Sequence, residues 1–277
     1  MTEKSLDLIK NFVDERLNKN IDNLGKFNFT GLEGNETYDG CPKGSFDADN
    51  TKLAKAIYYV IWKDELPDLK TIEDIGTGKK YRGDTLNTFT TLFGKKENEE
   101  TFYSRAQKFG SDDDEFKELV SQFRSEFLTI GNFMLLPNLS QPYAKTINMY
   151  RGSWFVWCDF FDRFLLELKY CLTNDIKQDQ IFKKLIDENS FYFKNDKLNT
   201  IQKFSDINFL EKYFMPDGDV EVFFKPHYYP RVCSLIKSPT KEQKEEYKEY
   251  AKNYIAKATE VIDYRASNII EKLKSKL

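Results

Sequence analysis

The chain has 277 residues, long enough for one large domain or two small ones. Hydrophobic residues make up 40% and aromatics 16%, which is enough apolar surface to build a core and excludes global disorder. Lys plus Arg (42) nearly balance Asp plus Glu (45), for a net charge of -3, so an overall basic footprint for nucleic acid is absent and only a local patch stays open. No apolar run approaches the roughly 20 residues that cross a bilayer. The N-terminal Met-Thr-Glu-Lys stretch lacks the apolar segment of a signal peptide. The cysteines, Cys41, Cys158, Cys171 and Cys233, form no C-x-x-C pair and read as free thiols of a reducing compartment. A cytoplasmic location is the expectation.

In chain order, residues 3–25 predict an amphipathic helix, with Leu6, Ile9, Phe12, Val13, Leu17 and Ile21 at helical spacing. Residues 26–48 hold glycines and turn formers and read as an ordered loop or hairpin. A helix over about Thr51–Asp64 follows, closed by Pro67. Asp84 is placed to cap a helix reaching Phe93. Ser111-Asp-Asp-Asp-Glu115 marks a strong helix start, because acids favour the positive end of the helix dipole. That helix runs to Phe127, and Phe127–Leu136 reads as a short buried strand. Trp154–Leu172 is the most apolar helical stretch and is expected at the centre. Helices near 178–188 and 205–214 and a short strand over Val220–Phe224 follow. From Lys241 to the end the pattern is one long helix, apolar on one face and Glu/Lys-rich on the other. The fold expected is mainly α, with a few short strands. It is one globular domain over 1–240, with an N-terminal helix, and a C-terminal amphipathic helical arm over 241–277.

The motifs that carry chemistry are few. The one histidine, His227, stands in a Pro- and Tyr-rich setting and would have to serve any Ser-His or Cys-His relay. A zinc site needs several His or Cys ligands at suitable spacing, which this chain lacks. Gly76-Thr-Gly-Lys-Lys80 departs from a phosphate loop at two places, Glu73 and Lys80. A carboxylate set of Asp84, Asp159 and Asp162 would suit Mg²⁺, but a cap explains Asp84 and a salt bridge to Arg163 or Arg151 explains Asp162. No metal and no cofactor are expected. Paired Tyr-Arg-Gly elements at 81–83 and 150–152 match the aromatic-Arg start of ADP-ribosyltransferase clefts only weakly. Thr129-Ile-Gly-Asn-Phe-Met-Leu-Leu-Pro resembles the second half of some HNH nucleases, without the histidine that their chemistry needs.

Asp47–Pro67, Gly83-Asp-Thr-Leu-Asn-Thr-Phe89, Thr129–Pro137, Thr146-Ile-Asn-Met-Tyr-Arg-Gly152 and Asp159-Phe-Phe-Asp162 recur in a recognisable order. Together they resemble a widespread, uncharacterised bacterial and phage protein family over roughly residues 45–235. The resemblance implies an intracellular protein, often in a mobile-element or phage context, and transfers no activity.

Two functions are weighed. The first is a non-catalytic protein-binding factor acting on a host or phage protein, such as a defence or regulatory protein, with self-association through the C-terminal helix and no membrane contact. The second is an enzyme acting on a nucleotide or nucleic acid through Asp84, Thr85, Asn87, Asn132, Asn148 and Arg151. The alternative for those six is a buried hydrogen-bond network. Geometry separates the two: a site opens into a concave pocket, whereas a structural network is closed and satisfied.

Overall fold

The computed structural model describes residues 2–32, 48–76, 78–94, 103–110, 112–138, 146–151, 160–223 and 235–277. Its helices are α1 (Thr2–Arg16), α2 (Lys52–Trp62), α3 (Thr90–Phe93), α4 (Ser104–Gly110), α5 (Asp114–Glu126), α6 (Ile147–Arg151), α7 (Phe161–Thr173), α8 (Gln180–Glu188), α9 (Ser190–Phe193), α10 (Ile201–Asn208) and α11 (Lys241–Lys274). Two short strands, β1 (Tyr81–Thr85) and β2 (Phe133–Pro137), pair antiparallel with Tyr81 opposite Pro137 and Thr85 opposite Phe133. The chain is therefore mainly helical, with a minimal sheet.

Helix α2 sits deepest. Thr51 accepts the Ala54 N–H at 3.2 Å and starts it, and Leu53, Ala54 and every residue from Ala56 to Trp62 are buried. The buried face of α1 (Ile9, Phe12, Val13) packs against α2. α1 is shorter than its apolar spacing predicts, because Asn18 and Lys19 adopt left-handed backbone with φ 54° and 60°. A separate 3₁₀ turn, Ile21–Lys26, carries the rest of the pattern.

Helix α11 is a spine about 50 Å long. Its first half buries Tyr247, Tyr250, Ala251, Tyr254 and Ile255 in an aromatic cluster with Phe89, Phe93, Phe109, Phe116 and Phe123. Its second half buries Val261, Ile269, Ile270 and Leu273 in the main core around α2. Phe109 and Tyr247 stack at 4.4 Å, and Tyr247 Oη donates to the Leu92 carbonyl at 2.9 Å. Residues 241–277 thus lie along the body, in contact with α2, α4 and α5.

Several expectations shift. Asp84 caps no helix. It lies in β1, and α3 begins after Phe89. Asp113 does cap α5, accepting the Phe116 N–H at 2.9 Å. The strand expected over Phe127–Leu136 is confined to Phe133–Pro137 and follows a 3₁₀ turn at Ile130–Asn132. α7 starts at Phe161, and residues 152–159, with Trp154 and Trp157, lie outside the described residues. The helix expected near 205–214 runs instead over 201–208, closed by Phe209 at φ 57°. Val220 makes a single bridge to Phe214 rather than a strand, and Phe224 and His227 lie outside the described residues.

Candidate functional site

The glycine-marked landmarks meet on the two-stranded sheet. Gly83 pairs opposite Leu135 and Asp84 opposite Met134. A Cβ at Gly83 would stand 2.0 Å from the Asp49 carbonyl oxygen, so only glycine lets β1 pass the turn at Ala48–Asn50. The Asn50 side chain secures that passage: Oδ1 accepts the Gly83 N–H at 3.0 Å and Nδ2 donates to the Gly83 carbonyl at 3.2 Å. Gly131 answers the same need on the other side. A Cβ there would lie 2.1 Å from the Ile262 carbonyl oxygen of α11.

Beyond the strands, Asn87 and Asn132 form a reciprocal amide pair. Asn132 Oδ1 accepts from the Asn87 backbone N–H at 2.9 Å and from Asn87 Nδ2 at 3.1 Å. Asn132 Nδ2 donates to the carbonyls of Phe127 (2.9 Å) and Asn87 (3.2 Å). Asn87 Oδ1 accepts from Tyr213 Oη at 2.9 Å. Both asparagines are buried, and their amide groups are all spoken for by protein.

Arg151, at the end of α6, forms the second knot. It is 2% exposed. Nη1 makes an ion pair with the Asp84 carboxylate, and Nη2 donates to the carbonyls of Thr85 and Leu86, each at 3.0 Å. The guanidinium also lies over the rings of Phe161 (5.2 Å) and Phe164 (5.4 Å). One side chain thereby ties α6 and α7 to the end of β1. Asn148 stands three residues earlier on α6, and its side chain lies outside the described residues.

Of the six sequence-derived residues, Asn87, Asn132 and Arg151 are thus sealed inside, and Asp84 and Thr85 are half-buried at the edge of the sheet. Those two line a cavity of about 700 Å³ with Thr30, Ala48, Asp49, Arg124, Phe127 and Leu128. The Arg124 guanidinium lies over Phe89 (5.4 Å) and Phe127 (5.5 Å), and its Nη1 is buried without a hydrogen-bond partner.

A third anchor escapes the sequence motifs. Arg265 of α11 is fully buried and donates through Nε to the Asn208 carbonyl (3.0 Å) and through Nη1 to the carbonyls of Gly131 and Phe133 (3.0 Å to the latter). Burial holds its pKa down, at about 10. The signal in the sequence is an arginine on the apolar stripe of the last helix, between Val261 and Ile269. Tyr213 and Arg124 fall in no landmark, and Asn50, although within the Asp47–Pro67 landmark, is singled out only by the three-dimensional structure.

The other candidates are structural. Asp162 accepts the N–H groups of Phe223 (2.9 Å) and Arg163 (2.8 Å), while Arg163 faces Glu167 at 4.0 Å and Arg151 pairs with Asp84. Asp159 lies outside the described residues. Among the described residues no group of three or more His, Cys, Asp or Glu is placed to hold a metal ion. The Cys171 thiol is buried, and desolvation pushes its pKa up to about 12, which suits packing rather than nucleophilic chemistry. No helix among the described residues is long and apolar enough to cross a membrane.

A family model described as "Family of unknown function (DUF6994)" matches residues 35–269. The match reaches further than the landmarks over 45–235 and takes in most of α11. No curated protein and no solved structure matches the chain.

Proposed function

We propose that this chain, which belongs to a family of unknown function (DUF6994), is a non-catalytic protein-binding factor. The observation that carries this reading is the closure of the polar cluster. Asn87, Asn132 and Arg151 spend their donors and acceptors on the protein's own backbone and side chains. Groups committed in this way hold loops in place and are not free to turn over a substrate.

A rigid apolar contact point supports the same reading. Between α7 and α8 the chain turns on Asn174, in left-handed backbone, and Asp179 accepts the Phe182 N–H at 2.8 Å to start α8. This connection leaves Ile176 94% exposed, and the first turn of α8 leaves Ile181 66% exposed. Large aliphatic side chains held in solvent by a fixed turn are the kind that anchor a partner. The partner class is a host or phage protein, such as a defence or regulatory factor, met in the cytoplasm. Self-association through α11 would have to use its outward face, with Glu242, Glu249, Asp263 and Glu271, since its apolar stripe is spent on the body. Those groups are all acidic, so two copies meeting there would repel at low salt, and such association would strengthen as salt screens the repulsion.

The test is affinity capture of tagged protein from its cell of origin, with the mass of the complex measured. A stoichiometric partner retained by wild type and lost by Ile176→Asp/Ile181→Asp supports the reading. A partner-free protein, or capture indifferent to that double variant, counts against it. The second reading, an enzyme acting on a nucleotide or nucleic acid, keeps Asp84 and Thr85 at an opening among its five residues with described side chains.

A further inference from the structure

We infer that the corner between α7 and α8 is a plug for a protein whose docking cleft is apolar at its floor and rimmed with Asp and Glu. This rests on the protein-binding reading and names the chemistry of the partner. The corner is tightly built. α7 ends at Asn174 in left-handed backbone, the Asp175 N–H donates to the Tyr170 carbonyl at 2.9 Å, and the Gln178 N–H donates to the Asp175 carbonyl at 3.1 Å. Beneath it, Phe182 stacks on Tyr150 at 5.3 Å and meets Phe164 edge-on at 5.5 Å. Ile176 stands out from the turn and Ile181 from the first turn of α8. The chain between them limits their Cα separation to about 18 Å, inside one interface patch of ordinary size. A rigid apolar projection loses little freedom on docking and calls for a concave, apolar receptor.

The charges define the rim. The carboxylates from 175 to 187 are engaged within the fold. Asp175, half-buried, accepts the Lys177 N–H at 2.9 Å. Asp179, half-buried at the positive end of α8, accepts from Tyr150 Oη (2.9 Å) and the Phe182 N–H (2.8 Å). Asp187 pairs with Lys183 (2.9 Å) and Lys194 (3.1 Å). Two ammonium groups of the corner are left over. Lys177 is exposed, its Nζ 5.7 Å from the Tyr170 ring centroid, and makes no ion pair among the described residues. The Lys184 side chain is 78% exposed and comes no closer than 4.0 Å to Glu188, which is half-buried.

An apolar centre ringed by free ammonium groups complements an apolar cleft with a carboxylate rim. The other occupants fit less well. A second copy docked through the same corner would set Lys177 and Lys184 against their own counterparts, because a two-fold interface matches a patch with itself. A lipid surface calls for a longer apolar stripe, or for an acyl chain with a polybasic cluster, than two isoleucines and two lysines supply.

The test captures the tagged full chain from its cell of origin and couples amines to carboxylates with a zero-length carbodiimide before mass spectrometry. Cross-links from Lys177 or Lys184 to Asp or Glu side chains of the captured protein are expected. That protein, made recombinantly, is then the probe in binding kinetics. Lys177→Glu/Lys184→Glu is expected to slow association about tenfold or more, and a rise in salt from about 0.1 M to about 0.5 M to slow it several-fold. Lys177→Arg/Lys184→Arg should bind as wild type. Ile176→Ser/Ile181→Ser, which changes no charge, should speed dissociation about tenfold or more, with thermal melts confirming the fold of each variant. Capture that needs the isoleucines but is indifferent to lysine reversal and to salt overturns the inference and leaves the protein-binding role standing. Capture of no stoichiometric partner overturns both. Flotation with vesicles of phosphatidylcholine and phosphatidylserine, or a dimer in sedimentation, overturns the inference if Ile176→Ser/Ile181→Ser abolishes it, in favour of a lipid surface or a second copy.

Discussion

Asn132 Oδ1 accepts two hydrogen bonds from a single residue, the backbone N–H and the side-chain amide of Asn87, 45 positions earlier in the chain. The pair closes the open end of the β1–β2 ribbon, where the Leu86 N–H also donates to the Asn132 carbonyl at 2.8 Å. A two-stranded ribbon is marginal by itself. Here side-chain amides extend its ladder.

Asn132→Ala therefore leaves two buried Asn87 donors and two carbonyls without partners. A loss of about 3 kcal/mol is expected, read from the urea midpoint. Asn132→Asp should also destabilise, because a carboxylate has no donor for the carbonyls of Asn87 and Phe127. A midpoint unchanged in both variants would argue that the pair is not structural.

Arg151→Lys keeps the charge but cannot bridge the Asp84 carboxylate and two carbonyls at once. Breaking this buried pair is expected to cost about 3 kcal/mol or more. A double-mutant cycle with Asp84→Asn should return a coupling of about 1–3 kcal/mol. A coupling near zero would mean that Asp84 serves the cavity and not the clamp.

Gly131→Ala drives a methyl group against the Ile262 carbonyl, which is backbone and cannot swing aside. The strand end and α11 must part, at a cost of about 1–3 kcal/mol. Gly218→Ala is the control. Gly218 meets no atom within 4 Å, so its penalty comes from its left-handed backbone (φ 83°) alone.

Removing residues 241–277 strips both core clusters of their shared wall. The remainder is expected to lose cooperative unfolding and sharp side-chain NMR signals. A well-folded 1–240 fragment would show that the helix is an appendage.

Acid should unfold the protein through its paired carboxylates. Asp113 is held below its ordinary pKa by the Phe116 N–H first and by Lys248 second. A group lowered in the folded state stabilises above its unfolded value, 3.8 for Asp, and loses that contribution as the pH falls through the folded value. Asp64, Asp187 and Glu260 are lowered as well. Glu167, raised by burial, has the opposite sign and favours the fold most when protonated. The lowered groups outnumber it, so the melting temperature is expected to drop below about pH 4. Asp113→Ala should cost about 1 kcal/mol at neutral pH and flatten that drop.

The helical character, the start of α5 within Ser111–Glu115, the start of α2 near Thr51 and the apolar stripe of α11 are legible in the sequence alone. Each of these rests on residues within a few positions of one another, so periodicity and capping reveal them. It also marked Gly83, Asp84, Gly131, Asn132 and Arg151 as belonging together, through their recurrence as landmarks. Their roles are set by contacts between distant parts of the fold. Asp84 reads locally as a helix cap, yet an arginine 67 positions away claims it and the backbone runs as a strand. Gly131 is required by a carbonyl of the last helix, and Asn87 is completed by Tyr213. Whether a polar cluster is sealed or open depends on which distant groups satisfy it. That is a property of packing, which no local pattern encodes.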